Sequence, residues 1–193
     1  MKFKTIIFPL FLSLSSTSCT YFPQNVTLKP FVSNSKSDFG NGKKVNVAVS
    51  DIRQNKVLIG RRGNGLTEFA AIENNQDLEK LVKSNVEEIL KNKGFVNSDD
   101  SKKLLKVSLL NLKYKSLYGF FTIGSRVDSD IKIEVENKVN KEILYKNTYA
   151  SSLEKRHFIA PLAGVNEENI NLAFQESLIK IATDEDLMKV LKD

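Results

Sequence analysis

The chain has 193 residues, of which 41% are hydrophobic and 27% are charged, and its formal net charge is +6. These are globular proportions, and the length favours one domain. The positive charge comes without a dense basic run or a recognition motif, so we expect no nucleic-acid partner.

The N-terminal residues have the three-part layout of an export signal. A positive segment that ends at Lys4 precedes an apolar run over residues 6–14 and a small polar run over residues 15–18. The apolar run is about half as long as the roughly 20 residues that a bilayer-spanning helix needs, and Pro9 lies within it. We therefore predict a signal peptide over residues 1–18.

The only cysteine, Cys19, directly follows this run. Bacterial lipoprotein signals resemble Leu-(Ala/Ser)-(Gly/Ala)-Cys, and here the sequence is Ser16-Thr17-Ser18-Cys19, which departs where a large aliphatic residue is usual. We predict that Cys19 carries a lipid that anchors the protein to a membrane. The alternative is a soluble periplasmic protein with a free thiol. Thr20, where Asp would signal inner-membrane retention, favours the periplasmic face of the outer membrane.

The next segment, over residues 20–42, has few charges, two prolines and no helical apolar period. We predict that residues 19–42 form the lipidated N-terminus and a tether. Residues 26–32 are the exception, because they can form a short edge strand that ends near Pro30.

The remaining chain, over residues 43–193, is predicted to form a single α+β domain. Alternating apolar residues indicate strands over residues 43–53, 104–114, 126–136 and 142–153. Apolar residues at three- and four-residue spacings indicate helices over residues 76–93 and 166–182, followed by a short helix that Thr183 or Asp184 caps. Residues 137–141 are short enough to join two strands in a hairpin.

The order strand, helix, three strands, helix predicts an α+β, two-layer sandwich. The strand over residues 126–136 has one apolar face and one charged face, so the sheet should be covered on one side only. We expect an antiparallel or mixed sheet of about four strands, with two main helices packed on one face.

Residues 47–53, Val-Ala-Val-Ser-Asp-Ile-Arg, followed by Gly60 and Arg62, are similar to the N-terminal signature of the YajG family of bacterial lipoproteins. The resemblance continues through Gly94-Phe95 and ends at residues 184–187, Asp-Glu-Asp-Leu. It covers the whole domain and implies an outer-membrane lipid anchor and a two-layer α/β fold. It implies no activity. The segment around Phe120 and Phe121 is more apolar than the family resemblance leads us to expect.

Asp51 and Arg53 lie two residues apart and share the face of the buried valines. A charged pair at the end of a buried row must be paired or lie near the rim of the sheet. One interpretation is a salt bridge or backbone anchor that holds the strand's exit, and the other is a binding or catalytic rim.

Arg61 and Arg62 begin a basic, glycine-rich stretch that ends at Gly65. Backbone amides and two guanidinium groups can cradle a phosphate or a lipid headgroup. The stretch lacks the Gly-Lys-Ser/Thr ending of a nucleotide-binding loop, and the alternative is a solvated turn.

Phe120 and Phe121 lie in residues 117–123, the most unusual segment of the chain. If exposed, these aromatic side chains would form an apolar patch that needs a protein partner or a membrane. The alternative is that they complete the core at the end of the sheet.

No catalytic set is apparent, and we predict a non-enzymatic envelope lipoprotein without cofactor or metal. One cysteine and one histidine exclude a cysteine-based zinc site and a multi-histidine metal site. An unidentified envelope protein is the first candidate partner, and lipid or glycan binding that assists outer-membrane or lipopolysaccharide assembly is the second. A hydrolase would need His157 beside Ser151 or Ser152, which no nucleophile motif surrounds.

Overall fold

The computed structural model describes residues 22–32, 36–63, 68–158 and 162–193, so the predicted signal peptide and Cys19 lie outside it. The described residues form eight strands and three helices. The elements are β1 Gln24–Asn25, β2 Lys44–Asp51, β3 Leu58–Gly63, β4 Glu68–Glu73, α1 Leu78–Asn92, β5 Val96–Asn97, β6 Lys103–Tyr118, β7 Ile123–Asn137, β8 Ile143–His157, α2 Ala163–Thr183 and α3 Glu185–Lys192.

The predicted two-layer sandwich of about four strands and two main helices is wrong. The strands in the described part of the chain form one mixed sheet that curls into a half-barrel, and three helices accompany it. Strands β6, β7 and β8 are 16, 15 and 15 residues long. The right-handed twist between neighbouring strands accumulates along strands of this length, so the sheet curves instead of lying flat.

The sheet is organised on β6. One edge of β6 pairs with antiparallel β7 from Lys103↔Asn137 to Tyr118↔Ile123. The other edge pairs in parallel first with β2 and then with β3. Strands β2 and β3 therefore lie end to end along one edge of β6, and residues 52–57 form the connection between them.

The hairpin of β3 and β4 is an element that sequence analysis missed. The strand signal there is weak, because Gly60, Arg61 and Arg62 interrupt the apolar alternation expected of a strand. Gly60 is needed where β3 approaches β6, since a Cβ atom there would collide with the backbone carbonyl of Tyr114.

The helix signals are confirmed with shifted ends. The Asp77 carboxylate caps α1 by accepting from the Lys80 amide at 3.0 Å, and Gly94, at φ 83°, follows its last turn. Helix α2 begins at Ala163 rather than at the predicted cap Asn166, which is buried inside the helix. None of the helices in the described residues is both long and apolar enough to cross a membrane.

The main core lies between the sheet and its helices, where large apolar side chains are fully buried. Phe174 and Leu178 of α2 and Ile131 and Ile133 of β7 are all inaccessible to solvent. The alternate residues of β7 from Asp128 to Glu134 are half-buried charged groups that face away from this core, as the sequence pattern predicted.

Residues 22–32, which we call the strap, are held against the domain in an extended conformation. Only Gln24–Asn25 forms a regular strand, parallel to β4. Beyond it, backbone amides of every second strap residue donate to side chains of every fourth α2 residue: Thr27 to Glu167 at 3.3 Å, Lys29 to Asn171 at 2.6 Å and Phe31 to Gln175 at 3.2 Å. Four helical residues rise about 6.0 Å and two extended residues about 6.6 Å, so the two spacings match.

The opposite side of the strap contacts the connection between β4 and α1. The Val26 amide donates to the Glu73 carbonyl at 2.8 Å, and Gln76 both accepts from the Leu28 amide at 2.6 Å and donates to its carbonyl at 3.2 Å. Val26 and Leu28 are each 1% exposed. Part of the segment predicted as a tether therefore belongs to the packed domain.

We expect Leu28→Ala to lower the free energy of unfolding by about 2–5 kcal/mol, because it removes a fully buried side chain from the core. The matched control Lys29→Ala removes an exposed side chain and should change stability by about 0.5 kcal/mol or less. Urea denaturation of the mature protein measures both values. Equal, small effects from the two variants would show that the strap does not contribute to the fold.

Candidate functional site

Asp51 and Arg53 form a buried ion pair at the end of β2. Arg53 donates from Nη2 to Asp51 Oδ2 at 2.7 Å and from Nε to Oδ1 at 2.9 Å. Their side chains are only 4–5% exposed. Arg53 Nη2 also donates to the Lys56 carbonyl at 2.6 Å, so the pair holds the turn that carries the chain from β2 towards β3.

A second ionic contact covers this turn from α1. Glu79 accepts from the Asp51 amide at 3.1 Å and from Lys56 Nζ at 3.0 Å. The hydrogen bond from Lys56 lowers the pKa of Glu79, and the same bond raises the pKa of Lys56. Both Asp51 oxygens are engaged by Arg53, while Arg53 Nη1 is buried without a hydrogen-bond partner. This geometry fits the interpretation of an anchor at the strand's exit better than that of an open rim.

Arg61 and Arg62 lie in β3, not in a free turn. Arg61 is exposed, and Arg62 is half-buried and donates from Nη2 to the Phe22 carbonyl of the strap at 3.1 Å. The last two residues of the proposed phosphate-binding stretch, 64 and 65, lie outside the described residues. In the structure Arg62 thus contacts the place where the strap begins.

Phe120 and Phe121 lie in the turn between β6 and β7 and project away from the core. Their side chains are 93% and 77% exposed, and their rings meet edge to face with centroids 4.6 Å apart. These side chains therefore form an exposed apolar patch and do not complete the core at the end of the sheet. Sequence analysis singled out these residues by their apolar character but not their exposure.

The turn between β6 and β7 lies at the end of the sheet that we call the aromatic end. Strand register places the end of β8 beside it, through Ile123↔His157, and the end of β3 beside the last residues of β6, through Arg61↔Lys115. Gln24 Nε2 donates to the Ala163 carbonyl at 2.6 Å, so the start of the strap and the start of α2 meet and also belong to the aromatic end. Among the described large apolar side chains, five of the seven most exposed belong to this end: Phe22 67%, Phe120 93%, Phe121 77%, Phe158 86% and Leu162 77%.

Positive charges surround these apolar side chains. The described parts of β3, β4, β6, β7 and β8 that lie between the level of Lys115 and the aromatic tip carry six cationic residues and two acidic ones. The cations are Arg61, Arg62, Lys115, Arg126, Lys155 and Arg156, and the acids are Glu68 and Glu154. Two of the cations are paired, since Arg156 Nε donates to Glu154 at 2.9 Å and Arg126 Nε donates to Asp128 at 2.8 Å. The aromatic end is therefore apolar at its tip and basic at its margin.

The serine and histidine of the alternative hydrolase hypothesis are not brought together. Ser151 and His157 are both in β8, six residues apart, which corresponds to about 20 Å along a strand. Ser151 is buried, and its hydroxyl donates to the Ala173 carbonyl of α2. Residues 155–157 are the last residues of β8.

Asp184 forms a polar cluster that sequence analysis found only as a helix cap. Its Oδ1 accepts from the Leu187 amide at 2.8 Å, and its Oδ2 accepts from the hydroxyls of Tyr145 at 2.6 Å and Tyr149 at 2.7 Å. Burial of Asp184 opposes ionisation, but these hydrogen bonds lower its pKa. Burial and the same contacts raise the pKa of Tyr149. The cluster joins α3 to β8, and no sequence signal pairs residues so far apart.

The opposite end of the domain carries an open groove of about 1190 Å³. The groove is lined by residues 36–38, by the last turns of α1 and by β5. Within residues 22–32, 36–63, 68–158 and 162–193, no group of three or more His, Cys, Asp and Glu side chains is placed to hold a metal ion.

A family model for proteins described as uncharacterised lipoproteins matches residues 30–192, which is most of the chain. The chain belongs to this lipoprotein family. The predicted membership of a bacterial lipoprotein family is thereby confirmed, and the YajG-type resemblance is consistent with it. Membership associates the lipoprotein with the cell envelope. No curated protein matches the chain significantly.

Several solved structures are similar to the lipoprotein at low sequence identity. A Helicobacter pylori protein described as a homolog of a neuraminyllactose-binding hemagglutinin is 9% identical, with a TM-score of 0.53 over 86% of this chain and 96% of that one. A minor lipoprotein from Acinetobacter baumannii is 10% identical, with a TM-score of 0.46 over 78% and 90%. A Xanthomonas campestris protein is 12% identical, with a TM-score of 0.49 over 87% and 91%.

We expect Asp51→Ala to lower the free energy of unfolding by about 3–5 kcal/mol, because it leaves the Arg53 guanidinium buried without its carboxylate. The double variant Asp51→Ala/Arg53→Met should be more stable than Asp51→Ala, since it removes both charges and keeps an apolar side chain. Urea denaturation measures the difference. A double variant less stable than the single one would contradict a structural role for the ion pair.

Proposed function

We propose that the lipoprotein is a lipid-anchored, non-enzymatic binding module of the bacterial cell envelope, with its lipid on Cys19. The observation that carries the proposal is the short path from this cysteine to the folded domain. The Phe22 carbonyl is bound by Arg62, and the chain is hydrogen-bonded to the domain from Gln24 onward. Phe22 is the third residue after Cys19, so the chain between them reaches about 11 Å at most.

The export signal in residues 1–18 and the family of lipoproteins support the same proposal. A domain held this close to its anchor acts at the membrane surface rather than at the end of a long tether. The separation of Ser151 from His157 weighs against the hydrolase that sequence analysis considered.

An envelope protein is the first candidate partner, and the open groove at the end of the domain opposite Phe22 is available to it. A second candidate function is binding of a lipid or glycan in support of outer-membrane or lipopolysaccharide assembly. The exposed aromatic and basic side chains of the aromatic end favour this second candidate.

Labelled palmitate should enter the protein in growing cells, and Cys19→Ala should abolish the labelling, because the lipid is held through the cysteine sulfur. Ser16→Leu, which brings the signal closer to the usual lipoprotein pattern, is the matched control and should retain the label. Autoradiography of the immunoprecipitated protein measures incorporation. Undiminished labelling of Cys19→Ala would disprove the assignment.

We further propose that the lipoprotein resides on the periplasmic face of the outer membrane, since Thr20 lacks the retention signal that Asp provides in enterobacteria. Separation of the two membranes on a density gradient should place the wild-type protein and Thr20→Ser in the outer-membrane fraction. Thr20→Asp should shift to the inner-membrane fraction. Wild-type protein in the inner-membrane fraction would refute this location.

A further inference from the structure

We propose that the aromatic end docks on the membrane that carries the lipid anchor, with Phe120 and Phe121 inserted among the lipid headgroups. This inference rests on the proposed lipid at Cys19. It adds a second, non-covalent membrane contact and thereby an orientation for the domain.

The chain's path to the anchor starts at the aromatic end. Phe22 belongs to the aromatic end, because Arg62 of β3 binds its carbonyl and Gln24 binds the first residue of α2. A lipid on Cys19 would therefore keep this end within about 11 Å of the bilayer. The sheet order β1-β4-β3-β6 separates the strap from β6 by three strand spacings, or about 15 Å. Phe120 and Phe121 are thus close to the bilayer for geometric reasons alone.

Most of the highly exposed apolar side chains lie at the same end of the domain. The aromatic end holds five of the seven most exposed large apolar side chains in the described part of the chain. Val139, at the turn between β7 and β8, marks the opposite end of β7 and is 76% exposed, while Ile143 and Leu144 beside it are 46% and 37% exposed. Exposed aromatic clusters on a folded domain indicate an interaction surface, and phenylalanine and leucine are typical of surfaces that enter the headgroup region.

The strands around the aromatic tip carry an excess of positive charge, with six cationic residues and two acidic ones. Basic residues that lie within a Debye length of anionic headgroups are attracted to them. A lipid chain combined with apolar insertion and basic contacts is the kind of multiple attachment that makes membrane binding stable. In this orientation the open groove faces away from the membrane.

The chain contains no tryptophan, so a single substitution supplies a unique fluorescent probe. The lipidated Phe121→Trp protein is reconstituted into vesicles of phosphatidylethanolamine with a minority of phosphatidylglycerol. Lipidated Val139→Trp, whose side chain is also exposed, is the matched control. We expect the emission of Phe121→Trp to shift to shorter wavelength and to be quenched by lipids with brominated acyl chains, and that of Val139→Trp to do neither.

Unquenched emission from Phe121→Trp in protein that stays on the vesicles would overturn docking and leave the anchor intact. Equal quenching of the two probes would also overturn it, since neither end would then be preferred. A shift without quenching would overturn it in favour of a protein partner or a second copy of the chain. Protein that carries no lipid by mass spectrometry and leaves the vesicles would instead refute the anchor itself.

Discussion

The pairing of both edges of β6 is the constraint on which the rest of the fold depends. Along one edge it pairs with β7 from Lys103 to Tyr118, and along the other it pairs with β2 and then β3. The chain must leave the sheet between those two strands and return to the same edge. The Asp51–Arg53 ion pair lies at this interruption, and Arg53 also donates to the Lys56 carbonyl, so the pair holds the connection between β2 and β3 in place. The charged residues at this position thus stabilise the conformation of the backbone between β2 and β3.

The strap links the fold to the N-terminal segment. Its amides donate to side chains spaced four residues apart along α2, and its apolar residues Val26 and Leu28 complete the core. Because of these contacts, the first residue of the strap has a fixed position relative to the sheet. Phe22 and the aromatic turn at Phe120 and Phe121 therefore have a defined spatial relation, which a flexible tether would not provide.

The interface between α2 and the sheet depends on small and polar residues as well as on the apolar core. Ser177 donates to the Ser129 carbonyl at 3.1 Å, and the Tyr114 hydroxyl donates to Asn166 at 3.1 Å. Asn166 in turn donates to Gln24 at 3.2 Å, which ties the helix to the beginning of the strap. Buried polar groups need such partners, and here the partners come from three separate parts of the chain.

The sequence by itself determined the elements whose signal is local. Alternation in residues 126–136 identified β7 and its charged outer face, and the apolar stripes identified α1 and α2, because these periods depend only on near neighbours. The cap at Asp184 was equally local. The signal peptide and the lipid on Cys19 remain predictions from the N-terminal pattern.

Only the tertiary structure decided the number of strands, the curl of the sheet and the exposure of the aromatic residues. The β3–β4 hairpin has no clear alternation of apolar and polar residues, since Gly60 is required by the close approach of the Tyr114 backbone and not by its neighbours in the sequence. The sequence of the strap indicated only a short edge strand over residues 26–32 and not its docking, because its partners are α2 side chains more than a hundred residues away. Phe120 has the same apolar character whether buried or exposed, and the long β6–β7 hairpin carries it beyond the reach of the core. Contacts of this range have no signature in the sequence that produces them.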